Sequence, residues 1–242
     1  MNFKQVCTEM IRKSDPEKGK TVSKYLQGRY EFLGIPAQVR REISKTYLSE
    51  ENPEEPLDWE YVQACWDQLY REFQYLALDY LQNRASELTE RDLFKLRRLV
   101  QEKPGWDISD SMGRLVAKIT ARHPKAKRHI LEWAHYNDPS VRRIAIVHQI
   151  PLREDTDSEL LTKILESNLD CQDSLVRRAI VWALSEYSKH NPDYVDDFIW
   201  QHGDKMTAEM RREAAKHLPT KQAKEDKSKA AKSSKEAERK SK

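Results

Sequence analysis

The chain has 242 residues, of which only six are glycine, and it combines 34% charged with 38% hydrophobic residues. So few glycines argue against strands joined by tight turns, and this composition suits amphipathic helices with one solvated face. The net charge of +3 is uneven, because residues 221–242 carry nine Lys or Arg and four Asp or Glu. Bulk charge therefore does not establish nucleic-acid binding, which requires basic groups gathered on one face.

Apolar residues recur at helical spacing along most of the chain. They predict helices over Asn2–Arg12, Thr21–Gln27, Ala37–Leu48, Trp59–Leu69, Arg71–Gln82, Glu90–Gln101, Trp106–Arg122, Lys125–His135, Pro139–Gln149, Ser158–Ser167, Ser174–Lys189 and Ala208–His217. Helix-capping signals support three of these starts: Asp58, Thr89 before Arg91-Asp92, and Asp138 before Pro139.

Two of the predicted helices belong to an internal repeat. The segment 138–150 resembles 172–187, with Val141 and Val176 in matching places 35 residues apart, and 71–81 is a weaker copy. A period of this length with two helices per unit predicts an all-α solenoid of HEAT type, a curved superhelix of antiparallel helix pairs. We assign residues 1–220 to this repeat domain and expect the Lys-rich tail, 221–242, to be disordered.

Pairs of arginines occupy matching places near the starts of helices: Arg142-Arg143, Arg177-Arg178 and, in an earlier helix, Arg40-Arg41. A guanidinium beside the exposed amides of a helix start is suited to hold a phosphate. The alternative is that these arginines pair with Asp and Glu of neighbouring helices. Repetition in register favours phosphate contact and hence a face that follows duplex DNA.

Other classes of function find little support in the sequence. Cys7, Cys65 and Cys171 form no CxxC pair, which fits a reducing cytoplasm, and no run of 18 apolar residues predicts a membrane span. Nucleotide-binding and hydrolase motifs such as GxxxxGK[ST] and GxSxG are missing. His123, His129 and His135 lie six residues apart and do not share a helical face, so we expect neither a metal nor another cofactor.

The strongest chemical signal lies just after Pro104-Gly105, where Trp106 and Asp110 stand four residues apart on one face of a predicted helix. An indole can stack on a base or contact a cationic sugar, and a carboxylate near a helix start should keep a low pKa. Trp182 offers a second indole. Taken singly, the tryptophans could be core residues, Asp107 a relative of an N-cap, and Asp110 a solvated surface group.

Together these residues resemble the AlkD family of alkylpurine DNA glycosylases, which are HEAT-like-repeat enzymes. The resemblance runs from about Tyr25 to about Leu218, through the stretches YEFLGI (30–35), REFQYLALDYL (71–81), GWDISDS (105–111), VRRIAIVHQ (141–149) and RRAIVWALSEYSKHNPD (177–193). It implies hydrolysis of the N-glycosidic bond of cationic N3- or N7-alkylated purines in double-stranded DNA, by a monomer and without base flipping.

The resemblance also implies a role for individual residues. Asp110 matches the catalytic aspartate, Trp106 and Trp182 match the two indoles, Arg143 matches an arginine at the phosphate beside the lesion, and Tyr25 matches a tyrosine near the lesion. One position departs from the family: a second aromatic commonly precedes the Trp-Asp pair, where this chain has Gly105. The alternative to a glycosylase is a noncatalytic HEAT-like module that binds DNA or protein and does not need Asp110.

Overall fold

The computed structural model describes residues 3–48 and 55–219, including the side chains of all of these except 47 and 48. Within these ranges the regular secondary structure is helical, and the β-type pairing consists of one isolated bridge between Glu31 and Tyr70. Backbone packing divides the described residues between His148 and Gln149 into two compact units. The predicted boundary at residue 220 and the predicted disorder of 221–242 lie outside the described residues.

The first unit contains nine α-helices among its described residues. They are α1 (Phe3–Arg12), α2 (Pro16–Tyr25), α3 (Ala37–Leu48), α4 (Trp59–Trp66), α5 (Arg71–Asn83), α6 (Leu93–Glu102), α7 (Trp106–Arg122), α8 (Lys127–Ala134) and α9 (Pro139–Val147). The second unit's described part contains α10 (Ser158–Glu166), α11 (Ser174–Tyr187), α12 (Pro192–His202) and α13 (Ala208–Ala214). Short 3-10 turns, Glu90–Asp92, Pro124–Ala126 and Ile150–Asp155, join some of them.

Local capping explains where several helices begin. Asp58 accepts a hydrogen bond from the amide of Tyr61 at 2.8 Å, and Asp138 accepts one from Ser140 at 2.7 Å. Thr89 and Asp92 form a reciprocal capping box, in which the Thr89 amide donates to the Asp92 carboxylate at 2.9 Å. These three predicted starts are confirmed, because each supplies an acceptor for amides that the helix leaves unpaired.

The prediction missed one helix and placed the start of another wrongly. It omitted α12, although Asn191 caps that helix and Pro192 occupies its first turn. It also began the second helix at Thr21, whereas α2 begins at Pro16 because Asp15 accepts from the amide of Lys18 at 3.2 Å. Both starts show an Asx–Pro pair, in which proline loses no helical hydrogen bond.

In the first unit, helices pack as consecutive pairs and as a layer of alternate helices. Helix α4 packs on α5 and α8 on α9, while α3, α5, α7 and α9 contact one another in that order. This is the packing of a helical-repeat protein, so the predicted all-α class is confirmed. The same layer brings the starts of α5, α7 and α9 into contact.

Helix α7 has one buried face and one solvated face. Ile108, Met112 and Leu115 are fully buried at helical spacing, and burial of each such side chain stabilises the fold by about 1.5–3 kcal/mol. Gly113 allows close approach to α9, because an added Cβ would lie 2.8 Å from a methyl carbon of Val147. The packing turns Trp106 toward solvent and places α9 beside Asp110.

The second unit has its own core around α11. Val176, Ile180 and Leu184 of that helix are fully buried. The Tyr187 ring packs edge-on against Tyr194 with centroids 5.1 Å apart. Helix α11 contacts both α12 and α13, so the helix that the sequence did not predict is part of this core.

The predicted repeat is visible in hydrogen bonds. Asp138 and Asp173 each accept from the amide two residues ahead at 2.7 Å, at the starts of α9 and α11. Arg142 and Arg177 each donate through Nε to the carbonyl six residues back, that of Tyr136 and that of Cys171. The 35-residue period therefore reproduces a structural unit and not only a sequence pattern.

Among the described residues, no helix is long and apolar enough to cross a membrane. The same residues contain no cluster of three or more His, Cys, Asp or Glu that could hold a metal ion.

Candidate functional site

The candidate site is built around Asp110 in the second turn of α7. Its carboxylate receives two hydrogen bonds from Arg143 of α9, from Nε to Oδ1 at 2.7 Å and from Nη2 to Oδ2 at 3.0 Å. The Asp110 side chain is 13% exposed and that of Arg143 is 7% exposed. This bidentate contact holds an ionised carboxylate in one orientation at the edge of solvent.

The predicted low pKa of Asp110 was wrong. Burial raises the pKa of Asp110 above its ordinary value, although the hydrogen bonds and charge of Arg143 and the charge of Arg114 act in the opposite direction. The nearby Asp107 adds to the rise. The argument from the helix start considered only the local dipole, whereas packing against α9 removes water from the carboxylate.

Trp106 is the first residue of α7 and its side chain is well exposed for an indole, at 43%. It lies four residues before Asp110, so both side chains belong to the same face of the helix. The interpretation of Trp106 as a core residue is therefore wrong. An exposed indole beside a largely buried carboxylate offers an aromatic surface and a negative charge to one ligand.

A second ion pair, which the sequence did not reveal, lies at the start of the same helix. Arg71 of α5 is completely buried and donates to Asp107 from Nε at 2.9 Å and from Nη2 at 3.0 Å. The hydroxyl of Tyr75 donates to Asp107 Oδ2 at 2.6 Å. Asp107 is therefore not an N-cap, a place that Gly105 occupies without a side-chain bond.

The titration of Asp107 follows from this environment. Burial opposes its ionisation, but the hydrogen bonds and charge of Arg71 together with the Tyr75 hydroxyl hold the pKa of Asp107 below its ordinary value. Burial is also the main reason why the pKa of Tyr75 is raised, so its hydroxyl stays a donor. The two carboxylates of α7 therefore differ: Asp107 has a lowered pKa and Asp110 a raised one.

The predicted phosphate-binding arginines occupy different environments. Arg40 is ion-paired with Asp79 at 2.8 Å, so for Arg40 and Arg143 the alternative of pairing with acidic residues is what the structure shows. Arg41 donates to the carbonyl of Ala37 in its own helix at 3.2 Å.

The other three predicted arginines also differ from one another in their contacts. Arg142 and Arg177 brace the loops before their helices, as described above. Arg178 is exposed and has no ion pair or hydrogen bond from its side chain to any described residue. Contact with phosphate stays a prediction for all six arginines, and Arg178 is the one whose guanidinium has no other partner among the described residues.

Two further predicted residues lie apart in the chain from this site. Tyr25 is the last residue of α2 and is 78% exposed. Trp182 lies in α11 of the second unit and is partly buried. Their predicted roles beside a lesion stay predictions.

The site residues to which sequence analysis gave no role nevertheless lie in segments that carry the resemblance to the glycosylase family. Arg71 and Tyr75 lie in REFQYLALDYL, and Asp107 is next to the tryptophan of GWDISDS. An arginine at the first position of a helix rich in large apolar and aromatic residues was the available signal, because a charge in a buried stretch requires a partner.

Comparison with known proteins identifies the family to which the chain belongs. The family model described as DNA alkylation repair enzyme matches residues 6–218, which is most of the chain. The chain belongs to the DNA alkylation repair enzyme family. Membership of this family gives it a role in the repair of alkylated DNA, with DNA as its partner.

A solved structure supports the same family. It is titled "Predicted DNA alkylation repair enzyme from Enterococcus faecalis" and has 26% sequence identity to this chain, with a TM-score of 0.79. The match covers 86% of this chain and 98% of the other. No curated protein matches. The range that the family model matches, 6–218, contains Trp106, Asp107, Asp110 and Arg143.

Proposed function

We propose that this member of the DNA alkylation repair family is a monofunctional DNA glycosylase. It acts as a monomer on cationic N3- or N7-alkylated purines in duplex DNA and hydrolyses the bond between the base and deoxyribose C1′. The observation that carries the proposal is the arrangement of Asp110: a carboxylate held by Arg143 at the edge of solvent, one helical turn from the exposed Trp106.

The reaction needs little help for its leaving group. An alkylated purine already carries a positive charge, so when the C1′–N9 bond breaks the electron pair returns to the base, which leaves neutral. Positive charge then develops on the sugar. A water molecule adds to C1′ and loses one proton, and the products are free alkylated base and an abasic site. The enzyme must therefore stabilise a sugar cation and orient water.

Asp110 suits both tasks. Its ionised carboxylate stabilises positive charge, and each oxygen has one lone pair left after the hydrogen bond from Arg143, with which it can orient the water and accept its proton. Its raised pKa makes it a better base than an ordinary aspartate. Arg143 prevents the carboxylate from rotating, so less reorganisation is needed as charge develops.

Trp106 supplies a second source of stabilisation for the sugar cation. A cation over an indole face gains about 0.5–2 kcal/mol, and the gain is larger when water is displaced. The resemblance to the glycosylase family matches Trp182 to a second indole, and its part in the reaction stays a prediction. Because both partners act on a sugar cation and not on the base, the proposal needs no closed base pocket and is compatible with a base that stays in the duplex.

The test uses duplex DNA containing N7-methylguanine and measures release of the free base and formation of abasic sites, with enzyme in excess. Wild type should release the base, and Asp110→Asn should release it about 10²–10⁴-fold more slowly, which is the usual contribution of a positioned base. Trp106→Ala should lower the rate about 10-fold, as expected for one cation–π contact.

Glu87→Gln serves as a matched control. It makes the same carboxylate-to-amide change in another arginine pair of the first unit, that of Glu87 with Arg84, which lies beside the last residue of α7, at the opposite end of that helix from Asp110. It should leave the rate unchanged. If wild type binds the duplex but releases no base, the chain is a noncatalytic DNA-binding module and the proposal fails.

A further inference from the structure

A buried arginine at the start of α5 holds the segment that leads into α7. Besides its two bonds to Asp107, Arg71 donates through Nη1 to the carbonyl of Lys103 and through Nη2 to that of Pro104, both at 3.1 Å. The guanidinium also lies over the Tyr30 ring, 3.9 Å from its centroid. Every face of this charge is therefore occupied by protein.

Two other residues complete the arrangement. Tyr30 donates from its hydroxyl to the Pro104 carbonyl, and Tyr75 donates to Asp107. We call Arg71, Asp107, Tyr75 and Tyr30 the Arg71 cluster. It ties α5 and the segment around Tyr30 to both sides of Trp106, because Pro104 precedes and Asp107 follows that indole.

Gly105 fits against the same cluster. Its φ is +153°, and an added Cβ would lie 2.5 Å from Asp107 Oδ1 and 2.6 Å from Arg71 Nη2. A side chain here would have to displace one of the two partners of the ion pair. The close approach of Arg71 and Asp107 therefore favours glycine at position 105.

We propose that Arg71 is a positioning residue for the glycosylase reaction, which acts by fixing the first turn of α7 and with it the directions of Trp106 and Asp110. This inference rests on the proposed function. Arg71 itself is fully buried and its hydrogen bonds go to Asp107 and to the carbonyls of Lys103 and Pro104, so its effect passes through these groups. A displacement of about 1 Å at a reacting group can lower a rate about 10²-fold.

The same cluster also controls charge next to Asp110. Asp107 raises the pKa of Asp110, and Arg71 and Tyr75 of α5 hold the charge of Asp107. The other charged groups acting on Asp110 are Arg143 from α9 and Arg114 from α7. Weakening the hold of Arg71 would leave the Asp107 charge less compensated and raise the pKa of Asp110 further.

The experiment compares three changes that disturb the cluster from different sides: Arg71→Lys, Tyr75→Phe and Gly105→Ala. Lysine keeps the charge but cannot make the bidentate and carbonyl contacts together. Each variant is assayed for single-turnover release of N7-methylguanine and for duplex affinity. We expect rates at least 10-fold lower for Arg71→Lys, with duplex Kd within about twofold of wild type.

Two readouts separate positioning from general damage to the fold. The acid limb of the pH–rate profile should move to higher pH in Arg71→Lys, because Asp110 must be ionised to act. The indole ¹H–¹⁵N signal of Trp106, assigned with Trp106→Phe, should shift in all three variants. Arg211→Lys is the control, since Arg211 braces the carbonyls of Gly203 and Met206 in the second unit; it should change neither readout.

The possible outcomes distinguish failure of the proposed glycosylase function from failure of the inference about Arg71. If wild type releases no base, the proposed function fails and this inference fails with it. If wild type is active and the variants keep its rate, its pH profile and the Trp106 signal, Arg71 is only a structural brace. If Arg71→Lys does not fold, Tyr75→Phe decides the question, because it removes a single hydroxyl that donates to Asp107.

Discussion

Replacement of Arg143 by methionine should destabilise the protein in a manner that depends on pH. Methionine keeps much of the aliphatic stem but leaves Asp110 without the two hydrogen bonds from the guanidinium. Removing one partner of a buried ion pair costs about 3–5 kcal/mol. Because 13% of the Asp110 side chain still meets solvent, we expect the lower end of this range, about 3 kcal/mol at neutral pH.

The pH dependence has a definite sign. Burial already raises the pKa of Asp110 in the folded protein, and loss of Arg143 raises it further. Between the unfolded and folded pKa values the folded variant binds more protons than the unfolded chain, so its free energy of unfolding falls as pH rises through that window. The loss of unfolding free energy relative to wild type should therefore be greatest at about pH 7 and smaller at pH values where Asp110 is protonated.

Urea unfolding followed by circular dichroism, at neutral and at mildly acidic pH, measures this difference. A second variant, Asp110→Leu with Arg143→Met, removes both charges and should recover most of the lost stability, because no unpaired buried charge remains. A stability loss that is equal at both pH values, with no recovery in the double variant, would refute this account of the pair.

Three further predictions concern DNA binding and stability. Arg178→Ala should reduce the slope of log affinity against log salt by about one unit, and Arg177→Ala should reduce it less, because Arg177 also braces the loop before α11. Anisotropy titrations on duplex DNA check this, and equal slopes for the two variants contradict it. Glu72→Met should lower the urea-derived free energy of unfolding by about 3 kcal/mol or more, since the Glu72 carboxylate accepts from the buried amides of residues 33–35. Asp138→Ala should cost about 1 kcal/mol through loss of the α9 cap, and Asp138→Asn, which still caps, should cost much less in thermal unfolding.

Much of the helical structure could be predicted because its causes are local. The bounds of α3 and α7 are those predicted from apolar spacing, and the caps at Asp58 and Asp138 lie where the sequence placed them. Helix α12 was missed although Val195, Phe198 and Ile199 lie at helical spacing. Its Asn191-Pro192 start was the stronger signal.

The candidate site could be predicted only in part. The spacing of Trp106 and Asp110 already placed them on one helical face, and the resemblance to alkylpurine DNA glycosylases assigned them a chemistry. The partners of the two carboxylates did not follow from the sequence: Arg143 is 33 residues from Asp110, and Arg71 is 36 residues from Asp107. No local rule pairs residues at such distances, since the contact depends on how α5, α7 and α9 pack.

The sequence by itself therefore determined the all-α class, the repeat period, most helix starts and the pairing of an indole with a carboxylate on α7. These properties depend on backbone propensity, capping and periodicity, all of which act within a few residues. Only the tertiary structure decided which charges lose their water. Packing of α9 on α7 paired Arg143 with Asp110, and burial raised the pKa of that carboxylate instead of leaving it low. Packing also buried Arg71 completely, beside the segment that leads into α7. Desolvation of a charge depends on every helix that packs around it, so none of this follows from local sequence.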